Sequence, residues 1–423
     1  FLCKAQCFDN GSFGISPAEA GVMDPQQRLL LEVGYSSFAV SGQRRAALMR
    51  SGAGVYLGIM NVDYQLTDAT STSAYASSCR SVSIAAGRLS FALGLNGACQ
   101  SIDTACSSAL VAMHAASSAT RLGEQAGALC ASVSLLLSPL ASAHYAQATM
   151  LSADGRCKTL DNRANGYARS EGVCAVVLLS SSSDKHQVTV ALLSGCGVRQ
   201  DGRSASLTAP NGSAQVVLLR QALSSAATGS AELAGIEAHG TGTALGDPTE
   251  VSALGEALGD GRASPKVVGA SKASMGHSEP AAGHLGVAST LRSLLCCEAA
   301  GNAQLREINR LLPAALETSD ADWLLPMQHV GGSAQCRLKG VSSFGYSGTI
   351  AHVALKASDD AFHGVTQGSL CLLRRSRFPW TASIHHADTV AGMSMHVTCW
   401  LVQPATVAPV PQACMLVKLA AHS

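Results

Sequence analysis

Two glycine-led segments far apart in the chain have nearly the same pattern, GVCAVVLL (172–179) and GTIAHVAL (348–355). Each is a short apolar run containing β-branched residues, which is typical of a buried strand. Each also closes a series in which strand-like and helix-like segments alternate. Such alternation is typical of α/β layers, and its repetition predicts two α/β halves of comparable plan in one chain.

The composition fits closely packed layers of helix and sheet. The 423 residues are 47% hydrophobic, 13% charged and 4% aromatic, and 41 of them are glycine. Many small residues and few aromatic ones permit close packing and tight turns, and they argue against a disordered or fibrous chain. The net charge of +1 indicates neither a nucleic-acid surface nor binding to an anionic membrane.

The cysteines indicate a reducing compartment. Their number, 15, is odd, they are scattered, and no two form a Cys-x-x-Cys pair. We therefore expect neither a disulfide framework nor a metal site, and we predict an intracellular, cytoplasmic location with a plastid as the alternative. The most apolar stretch, 128–143, is too short and too interrupted by serine and proline to span a membrane.

The first half contains clear helix and strand signals. A helix is predicted at 23–40, because Pro25 suits a first helical turn and an apolar face follows it. The other predicted elements are strands at 54–60, 100–104, 128–137 and 172–180, a helix at 107–116, and a loop at 152–166.

The second half repeats the plan. Its predicted elements are strands at 188–193, 234–238, 266–270 and 349–355, and helices at 214–227 and 281–297. A further helix is predicted in DPTEVSALGEALG (247–259), with Asp247 as N-cap, Pro248 in the first turn and Glu250 closing a capping box. Gly259 would end that helix.

The end of the chain differs from both halves. LLRRSRFPW (372–380) is basic and aromatic, and the residues after it have no periodic apolar face. We therefore predict an N-terminal half at 1–182, a C-terminal half at 183–356, and a linker or tail at 357–423.

Cys106, in DTACSSAL (103–110), is predicted to lie where a strand gives way to a helix. Backbone N–H groups and the helix dipole at such a place lower the pKa of a thiol and favour the thiolate. Cysteine is among the most buried residue types, so a single cysteine is more often apolar filler than a nucleophile. The position alone therefore does not establish a reactive thiol.

Two histidines strengthen the case for a site. His239 in EAHGTGTALGDP and His277 in SKASMGHSEPAAGH both lie between a predicted strand and a predicted helix, as Cys106 does. In layered α/β folds, reactive groups at such strand ends converge on one crevice. We therefore predict one site that combines the cysteine with both histidines. The remaining candidates, His114, His284 and His352, lie inside predicted helices or strands and are predicted to be structural.

Seven motifs resemble the β-ketoacyl synthase (ketosynthase) domains of modular type I polyketide synthases and type I fatty acid synthases. They occur in family order: FGISPAEAGVMDPQQRLLLE (13–32), AGRLSFALGLNG (86–97), DTACSSALVAMHAA (103–116), MLSADGRCKTLDNRANGYARSEG (150–172), EAHGTGTALGDPTE (237–250), GHSEPAAGHLG (276–286) and GVSSFGYSGTIAHV (340–353). The resemblance implies an α/β thiolase-like fold, in which two duplicated halves pack as five alternating layers, and a homodimer.

The resemblance also implies the chemistry, a decarboxylative Claisen condensation. Cys106 would be the nucleophile, and a thiol suits that task because it exchanges one thioester for another of similar energy. The catalytic histidines would be His239 and His277, with Lys272 and Glu279 in support. Neutral, donor-bearing imidazoles would stabilise the enolate that forms when malonate loses carbon dioxide.

Further roles follow from the same resemblance. The backbone N–H groups of Cys106 and Phe344 would form the oxyanion hole and gate. Thr241 and Thr243 would bind the phosphopantetheine arm of an acyl carrier protein, which delivers both acyl chains. No cofactor would be bound directly.

The chain departs from the family pattern in three places. The glycine-rich first strand and helix that precede FGISP in the family are missing, so the chain is expected to be a fragment with an incomplete first half. Ser274 replaces an asparagine. Ser347 replaces a glycine that could need positive φ, and Ile350 replaces a polar residue.

Other functions remain open at this point. A ketosynthase-like partner subunit would shape the pocket without chemistry, but such subunits typically lose the cysteine. A thiolase-type acyltransferase shares the fold and a reactive cysteine, although the paired histidine motifs argue against it. A cysteine hydrolase would need neither a second histidine loop nor Lys272.

Overall fold

The computed structural model of the chain describes residues 2, 4–67, 73–180, 189–259, 265–312, 316, 321–331, 337–358, 373–378 and 414–419, the last range as backbone only. The helices are α1 (Pro17–Val22), α2 (Pro25–Val40), α3 (Arg45–Leu48), α4 (Asp63–Thr67), α5 (Ala76–Arg80), α6 (Val82–Leu93), α7 (Ser108–Arg121), α8 (Pro139–Gln147), α9 (Gly212–Ser225), α10 (Gly246–Leu258), α11 (Lys272–Met275) and α12 (Ala282–Cys296).

The strands are β1 (Cys7–Phe8), β2 (Gly54–Ile59), β3 (Cys99–Ile102), β4 (Gly127–Ser134), β5 (Gly172–Leu179), β6 (Ala191–Gln200), β7 (Leu233–Glu237), β8 (Lys266–Gly269), β9 (Glu298–Ala299), β10 (Trp323–Leu324), β11 (Val330–Gly331), β12 (Leu338–Phe344), β13 (Thr349–Ala357), β14 (Ser376–Arg377) and β15 (Cys414–Leu419). Most strand and helix signals in the sequence are confirmed within a few residues. The strand β12 was not predicted, and β6 lies later in the chain than the predicted 188–193.

The two halves have the same strand order. One half contains β3-β2-β4-β5 and the other β8-β7-β12-β13, and the last strand of each set runs antiparallel to its neighbour. The glycine-led segments that suggested a duplication form β5 and β13, which occupy equivalent places. The predicted duplication is therefore confirmed.

The place beyond the last strand is filled differently in the two halves. In the second half, β6 lies beside β13 and antiparallel to it. In the first half, β15 lies beside β5 and parallel to it, and it also pairs with β6. The two sets of strands are thereby joined into a sheet of 11 strands.

The helices form three layers around the strands. The central helices α7 and α12 pack against each other and against strands of both halves, in a core that includes Leu110, Met113, Val287 and Leu291. On the outer face of the first half lie α2 and α6, and on that of the second half lie α9 and α10. The result is the predicted thiolase-like arrangement of five alternating layers.

Two segments of the predicted linker or tail pair with strands of the body of the protein. The strand β15 lies within the sheet, and β14 pairs antiparallel with β1. Ion pairing reinforces the second contact, because Arg375 lies 3.0 Å from the buried carboxylate of Glu32. The guanidinium of Arg28 also donates to the carbonyl oxygen of Phe378.

Among the described residues, no helix has the length and apolar character needed to cross a bilayer. The ten cysteines whose side chains are described are all free thiols.

Candidate active site

Cys106 lies in the connection from β3 to the central helix α7. The residue before it, Ala105, has φ of +53°, a left-handed conformation that is strained for a residue with a Cβ atom. The hydroxyl of Ser108 accepts a hydrogen bond from Thr104 N–H at 2.8 Å, and the hydroxyl of Ser343 donates to the carbonyl of Cys106 at 2.7 Å. These contacts fix a sharp strand-to-helix turn with the sulfur at its apex.

His277 contacts that sulfur directly. Its Nε2 atom lies 3.0 Å from Cys106 Sγ, and both side chains are buried. The backbone of His277 donates to Ala168 O at 2.7 Å and accepts from Ser170 N–H at 2.9 Å. The edge of the Tyr167 ring packs against the imidazole, with centroids 5.0 Å apart. A single neighbouring segment, residues 167–170, therefore holds His277 through its backbone and packs against its ring.

His239 completes the predicted set of three. Its ring centroid lies 5.6 Å from that of His277, with the rings nearly perpendicular. Its Nδ1 atom accepts a hydrogen bond from the backbone N–H of Phe344 at 3.2 Å. Because Nδ1 acts as an acceptor, the neutral ring carries its proton on Nε2 and presents a donor. The structure thus brings Cys106, His239 and His277 together.

Burial sets the protonation state of both imidazoles. Desolvation lowers the pKa of His239 and of His277 well below the usual value, and the charge of Lys272 lowers both further. Both rings are therefore neutral near pH 7. Among the described residues, none makes a hydrogen bond to Nδ1 of His277.

The thiol does not have the lowered pKa that its predicted place at a helix N-terminus suggested. Burial raises the pKa of Cys106 to about 12, and the carboxylate of Glu279 acts in the same direction. Lys272 and nearby backbone N–H groups lower the pKa, but desolvation outweighs them. The helix α7 begins two residues after the sulfur, at Ser108. The resting group is consequently a neutral thiol.

The prediction that Phe344 provides an oxyanion-hole amide and the gate is wrong. Its N–H donates to His239, and its ring is buried in a cluster with Leu218 and Ile350. The amides that lie close enough to lower the pKa of the sulfur are those of Cys106 and Tyr346. The Tyr346 side chain is exposed, and its ring meets that of Tyr145.

The predicted capping box of α10 is also wrong. Glu250 accepts hydrogen bonds from the N–H groups of His239 and Gly240 at 2.7 and 2.9 Å. Asp247 accepts from the N–H groups of Gly242 and Leu160. Both carboxylates therefore fix the loop that carries His239, and neither caps α10, whose N-cap residue is Leu245. The sequence signal was real, but its hydrogen-bond partners lie outside the helix.

The two supporting residues lie close to the site. Lys272 is buried at the start of α11, and its charge acts on the pKa values of Cys106 and both histidines. Glu279 has φ of +50° and forms an ion pair with Arg169, with 2.5 Å between Nε and Oε1. The carboxylate is thus engaged by a cation and does not face the sulfur alone.

The two threonines lie next to each other on the histidine loop. Their hydroxyl oxygens are 3.3 Å apart, with Thr241 buried and Thr243 partly exposed. The Thr243 oxygen also accepts a hydrogen bond from Gly246 N–H. Binding of a phosphopantetheine arm by these hydroxyls stays a prediction.

The substituted positions fit the structure without strain at the site. Among the described residues with positive φ, Gly348 has φ of +89° and Ser347 is not one of them, so the serine does not occupy a glycine-requiring conformation. Ile350 is fully buried beside Phe344, and Ser274 is exposed on α11.

The three histidines predicted to be structural have buried partners. His284 and His352 are fully buried, and their Nδ1 atoms lie 2.8 Å from Ser132 Oγ and 3.0 Å from Ser342 Oγ. His114 lies against the thiol of Cys196.

The motif at 150–172 contributes two residues that the sequence did not assign to the site. The structure places Tyr167 against the ring of His277 and Arg169 against Glu279. The motif itself was the only signal that could have pointed to them.

A doubled α/β frame with a cysteine and two histidines at its centre defines a protein of the thiolase-like class. Comparison with known families is more specific. Residues 1–184 match the β-ketoacyl synthase N-terminal domain, and residues 190–297 match the C-terminal domain of the same family. The chain belongs to the β-ketoacyl synthase family.

Similar proteins include long polyketide synthases. The chain is 38% identical over 371 residues to the phenolphthiocerol synthesis polyketide synthase type I Pks15/1 of Mycobacterium bovis, an alignment covering 84% of this chain and 17% of that protein. It is 37% identical over 409 residues to polyketide synthase GfsA of Streptomyces halstedii, covering 92% and 5%. The chain therefore spans less than a fifth of these two relatives.

Solved ketosynthase structures have the same fold. The ketosynthase from module 6 of the bacillaene synthase of Bacillus subtilis 168 superimposes with a TM-score of 0.77 at 32% identity, covering 85% of this chain and 64% of that one. The oxazolomycin ketosynthase domain of Streptomyces albus JA3453 gives 0.78 at 31% identity, with the same coverage.

Proposed function

We propose that this chain is a ketosynthase that extends an acyl chain by decarboxylative Claisen condensation with malonyl-acyl carrier protein. The observation that carries the proposal is the contact of 3.0 Å between Cys106 Sγ and His277 Nε2, with His239 packed against the same ring. The named relatives are polyketide synthases, which favours a polyketide over a fatty acid product.

The first step transfers an acyl group to Cys106. The thiol gives its proton to Nε2 of His277, the sulfur attacks the thioester carbonyl, and the amides of Cys106 and Tyr346 stabilise the oxyanion. The carrier sulfur leaves and takes the proton from the imidazole. One thioester is broken and another is formed, so the acyl group stays activated for the next step. Because burial raises the pKa of the thiol, this nearby base accelerates the transfer.

The second step uses both imidazoles as donors. Once Cys106 is acylated, the sulfur carries no proton, and His277 can hold its ring proton on Nε2 because Nδ1 has no described partner. His239 already presents Nε2–H. When the malonyl carboxylate leaves as carbon dioxide, its bonding electrons form an enolate whose oxygen accepts both hydrogen bonds. The enolate carbon attacks the acyl carbonyl, and the Cys106 sulfur leaves as a thiolate that takes a proton from water, which balances the negative charge of the malonyl carboxylate.

The partners are part of the proposal. An acyl carrier protein would deliver both substrates, and Thr241 and Thr243 would bind its phosphopantetheine arm. Other synthase domains and a second copy of the chain would complete the assembly, and the free cysteines fit a reducing, cytoplasmic location.

A two-stage label-transfer assay tests the function. The protein is incubated with an acyl-carrier protein and then with malonyl-carrier protein, and intact mass is recorded after each stage. We expect the acyl mass on Cys106 first, and then a carrier-bound product two carbons longer with release of carbon dioxide. Acyl transfer from coenzyme A without any need for malonate would instead identify a thiolase-type acyltransferase. Absence of both stages would identify a non-elongating partner subunit.

A further inference from the structure

Arg169 has no role in the chemistry described above, although it is one of the most enclosed charges in the protein. Its side chain is 3% exposed, and that of its partner Glu279 is 1% exposed. The guanidinium donates through Nε and Nη2 to the two carboxylate oxygens at 2.5 and 2.9 Å. A bidentate pair of this kind fixes the relative orientation of its two side chains.

The ion pair acts on the turn that carries His277. Glu279 follows His277 by two residues, and its φ of +50° is held against local strain. The backbone on either side of Arg169 is hydrogen-bonded to His277, through Ala168 O and Ser170 N–H. One segment of chain therefore holds the imidazole twice, through its backbone and through the Arg169 side chain.

The other side of the guanidinium contacts helix α8, through Ser142 and Tyr145. It lies over the Tyr145 ring, 5.2 Å from the centroid, and its Nη1 donates to Ser142 Oγ at 2.8 Å. The ring of Tyr145 meets that of Tyr346 edge-on, with centroids 6.4 Å apart. The backbone amide of Tyr346 is one of the two that lie beside the sulfur of Cys106.

We propose that Arg169 is a positioning residue that couples the His277 turn to the Tyr346 loop, through Glu279 on one side and Tyr145 on the other. The inference rests on the proposed function, because it assigns Arg169 a part in setting the distance between the enolate donor and the oxyanion hole. Lysine cannot replace it, since a single ammonium group has neither the planar fork nor the stacking face.

The same part of the chain provides a matched control. Arg163 forms a bidentate pair with Asp161, with distances of 2.7 and 2.9 Å. The Arg163 side chain is 44% exposed, and none of its hydrogen bonds reaches the site residues. Arg163→Lys therefore removes an arginine–carboxylate fork of similar geometry without touching the proposed coupling.

The experiment compares full-length Arg169→Lys, Glu279→Gln and Arg163→Lys with the wild type. Acylation of Cys106 and decarboxylation of malonyl-carrier protein are measured separately, with kcat and KM for each and a melting curve for every variant. We expect Arg169→Lys to lower kcat of both half-reactions at least tenfold with little change in KM. Glu279→Gln should lower decarboxylation more than acylation, and Arg163→Lys should change neither.

Equal decreases in kcat in Arg169→Lys and Arg163→Lys would overturn the coupling. A decrease in kcat of Arg169→Lys that is confined to one half-reaction would also overturn it. If Arg169→Lys does not fold, Glu279→Gln decides, and equal effects on both half-reactions then overturn it.

A wild type that fails to decarboxylate would reject the proposed function instead. The coupling would then be judged from the rate at which iodoacetamide alkylates Cys106, which should change in Arg169→Lys and not in Arg163→Lys.

Discussion

Cys106 and His277 occupy equivalent places in the two halves of the molecule. Each follows the equivalent strand of its half, β3 or β8, and each precedes the central helix, α7 or α12. Each turn also contains a non-glycine residue with positive φ, Ala105 at +53° and Glu279 at +50°. Duplication therefore produced two similar turns that meet where the packed central helices begin, with 3.0 Å between Cys106 Sγ and His277 Nε2.

The two turns differ in length and in the reactive side chain that each one presents. In the first half the turn is tight, and the sulfur is next to backbone amides. In the second half, α11 and Gly276, with φ of +78°, extend the connection so that the imidazole reaches the sulfur. The second half also supplies His239 from the end of β7. Under the proposed function, one half would hold the nucleophile and the other the donors, so the chemistry would require both halves in register.

The largest changes in activity should come from removing the thiol or the imidazole singly. Cys106→Ala should abolish acyl transfer to the protein while decarboxylation of malonyl-carrier protein persists. His277→Ala should lower decarboxylation by about 10²–10³-fold, the usual loss when one oxyanion donor is removed, while some acylation remains. Both half-reactions are followed by intact mass and carbon dioxide release.

Two results would contradict a division of the chemistry between the two halves. One is acylation of Cys106→Ala at another cysteine, and the other is loss of both half-reactions in both variants. Either result would mean that the halves do not divide the chemistry between sulfur and imidazole.

The second prediction concerns the protonation of the thiol. Because burial raises the pKa of Cys106 to about 12, its thiolate fraction should rise about tenfold per pH unit from pH 7 to 10. The same thiol in denatured protein should level off above about pH 8.5, the ordinary value for cysteine. Alkylation by iodoacetamide, mapped by peptide mass, gives both profiles. A plateau near neutral pH in the folded protein would instead indicate a thiolate stabilised at the turn.

Much of this frame could be predicted from the sequence. Apolar runs such as β5 and β13 depend on local composition, and the Cys106 and His277 turns are marked by flanking glycine and serine. The two halves and the three site residues could therefore be recognised from pattern and motif.

What escaped prediction depends on partners distant in sequence. The sequence around Glu250 fits a capping box. In the fold, however, the N–H groups of His239 and Gly240 lie within hydrogen-bond distance of this carboxylate, so it binds them and does not cap its own helix. The sequence does not reveal that the amide of Phe344 donates to His239, because the direction of that amide depends on the β12–β13 connection. The sequence predicts a linker or tail where β15 forms, because the place of that strand in the sheet is set by its pairing with β5 and β6.

The third prediction addresses the contact between the central helices. A Cβ atom at Gly283 of α12 would lie 2.7 Å from Cγ of Leu110 on α7. We therefore expect Gly283→Ala to lower the free energy of unfolding by about 1–3 kcal/mol, since overpacking costs more than helix propensity returns. In Gly87→Ala, on α6, the new methyl meets no atom within 4 Å, and stability should rise by about 0.5–1 kcal/mol. Urea unfolding measures both, and equal changes would show that the helices are not closely packed there.

The smallest effect concerns a hydrogen bond between the halves. His284 of α12 bonds through Nδ1 to the hydroxyl of Ser132 on β4, and burial lowers its pKa to about 3. An unfolded histidine takes up a proton below about pH 6.5, whereas the folded one does not. The free energy of unfolding therefore falls as the pH falls from 6.5, by at most about 1.4 kcal/mol per unit from this group.

Buried carboxylates oppose this trend, so the histidine must be isolated by substitution. Burial raises the pKa values of Asp247 and Glu250 to about 6 and about 7, and these groups favour the folded state as the pH falls. The comparison is therefore between the wild type and His284→Asn, whose amide can still bond Ser132. Between pH 7 and 5 the wild type should lose about 1–2 kcal/mol more than the variant in urea unfolding. Parallel losses in the two proteins would mean that His284 is protonated in the folded state and that the boundary between the halves is open to solvent.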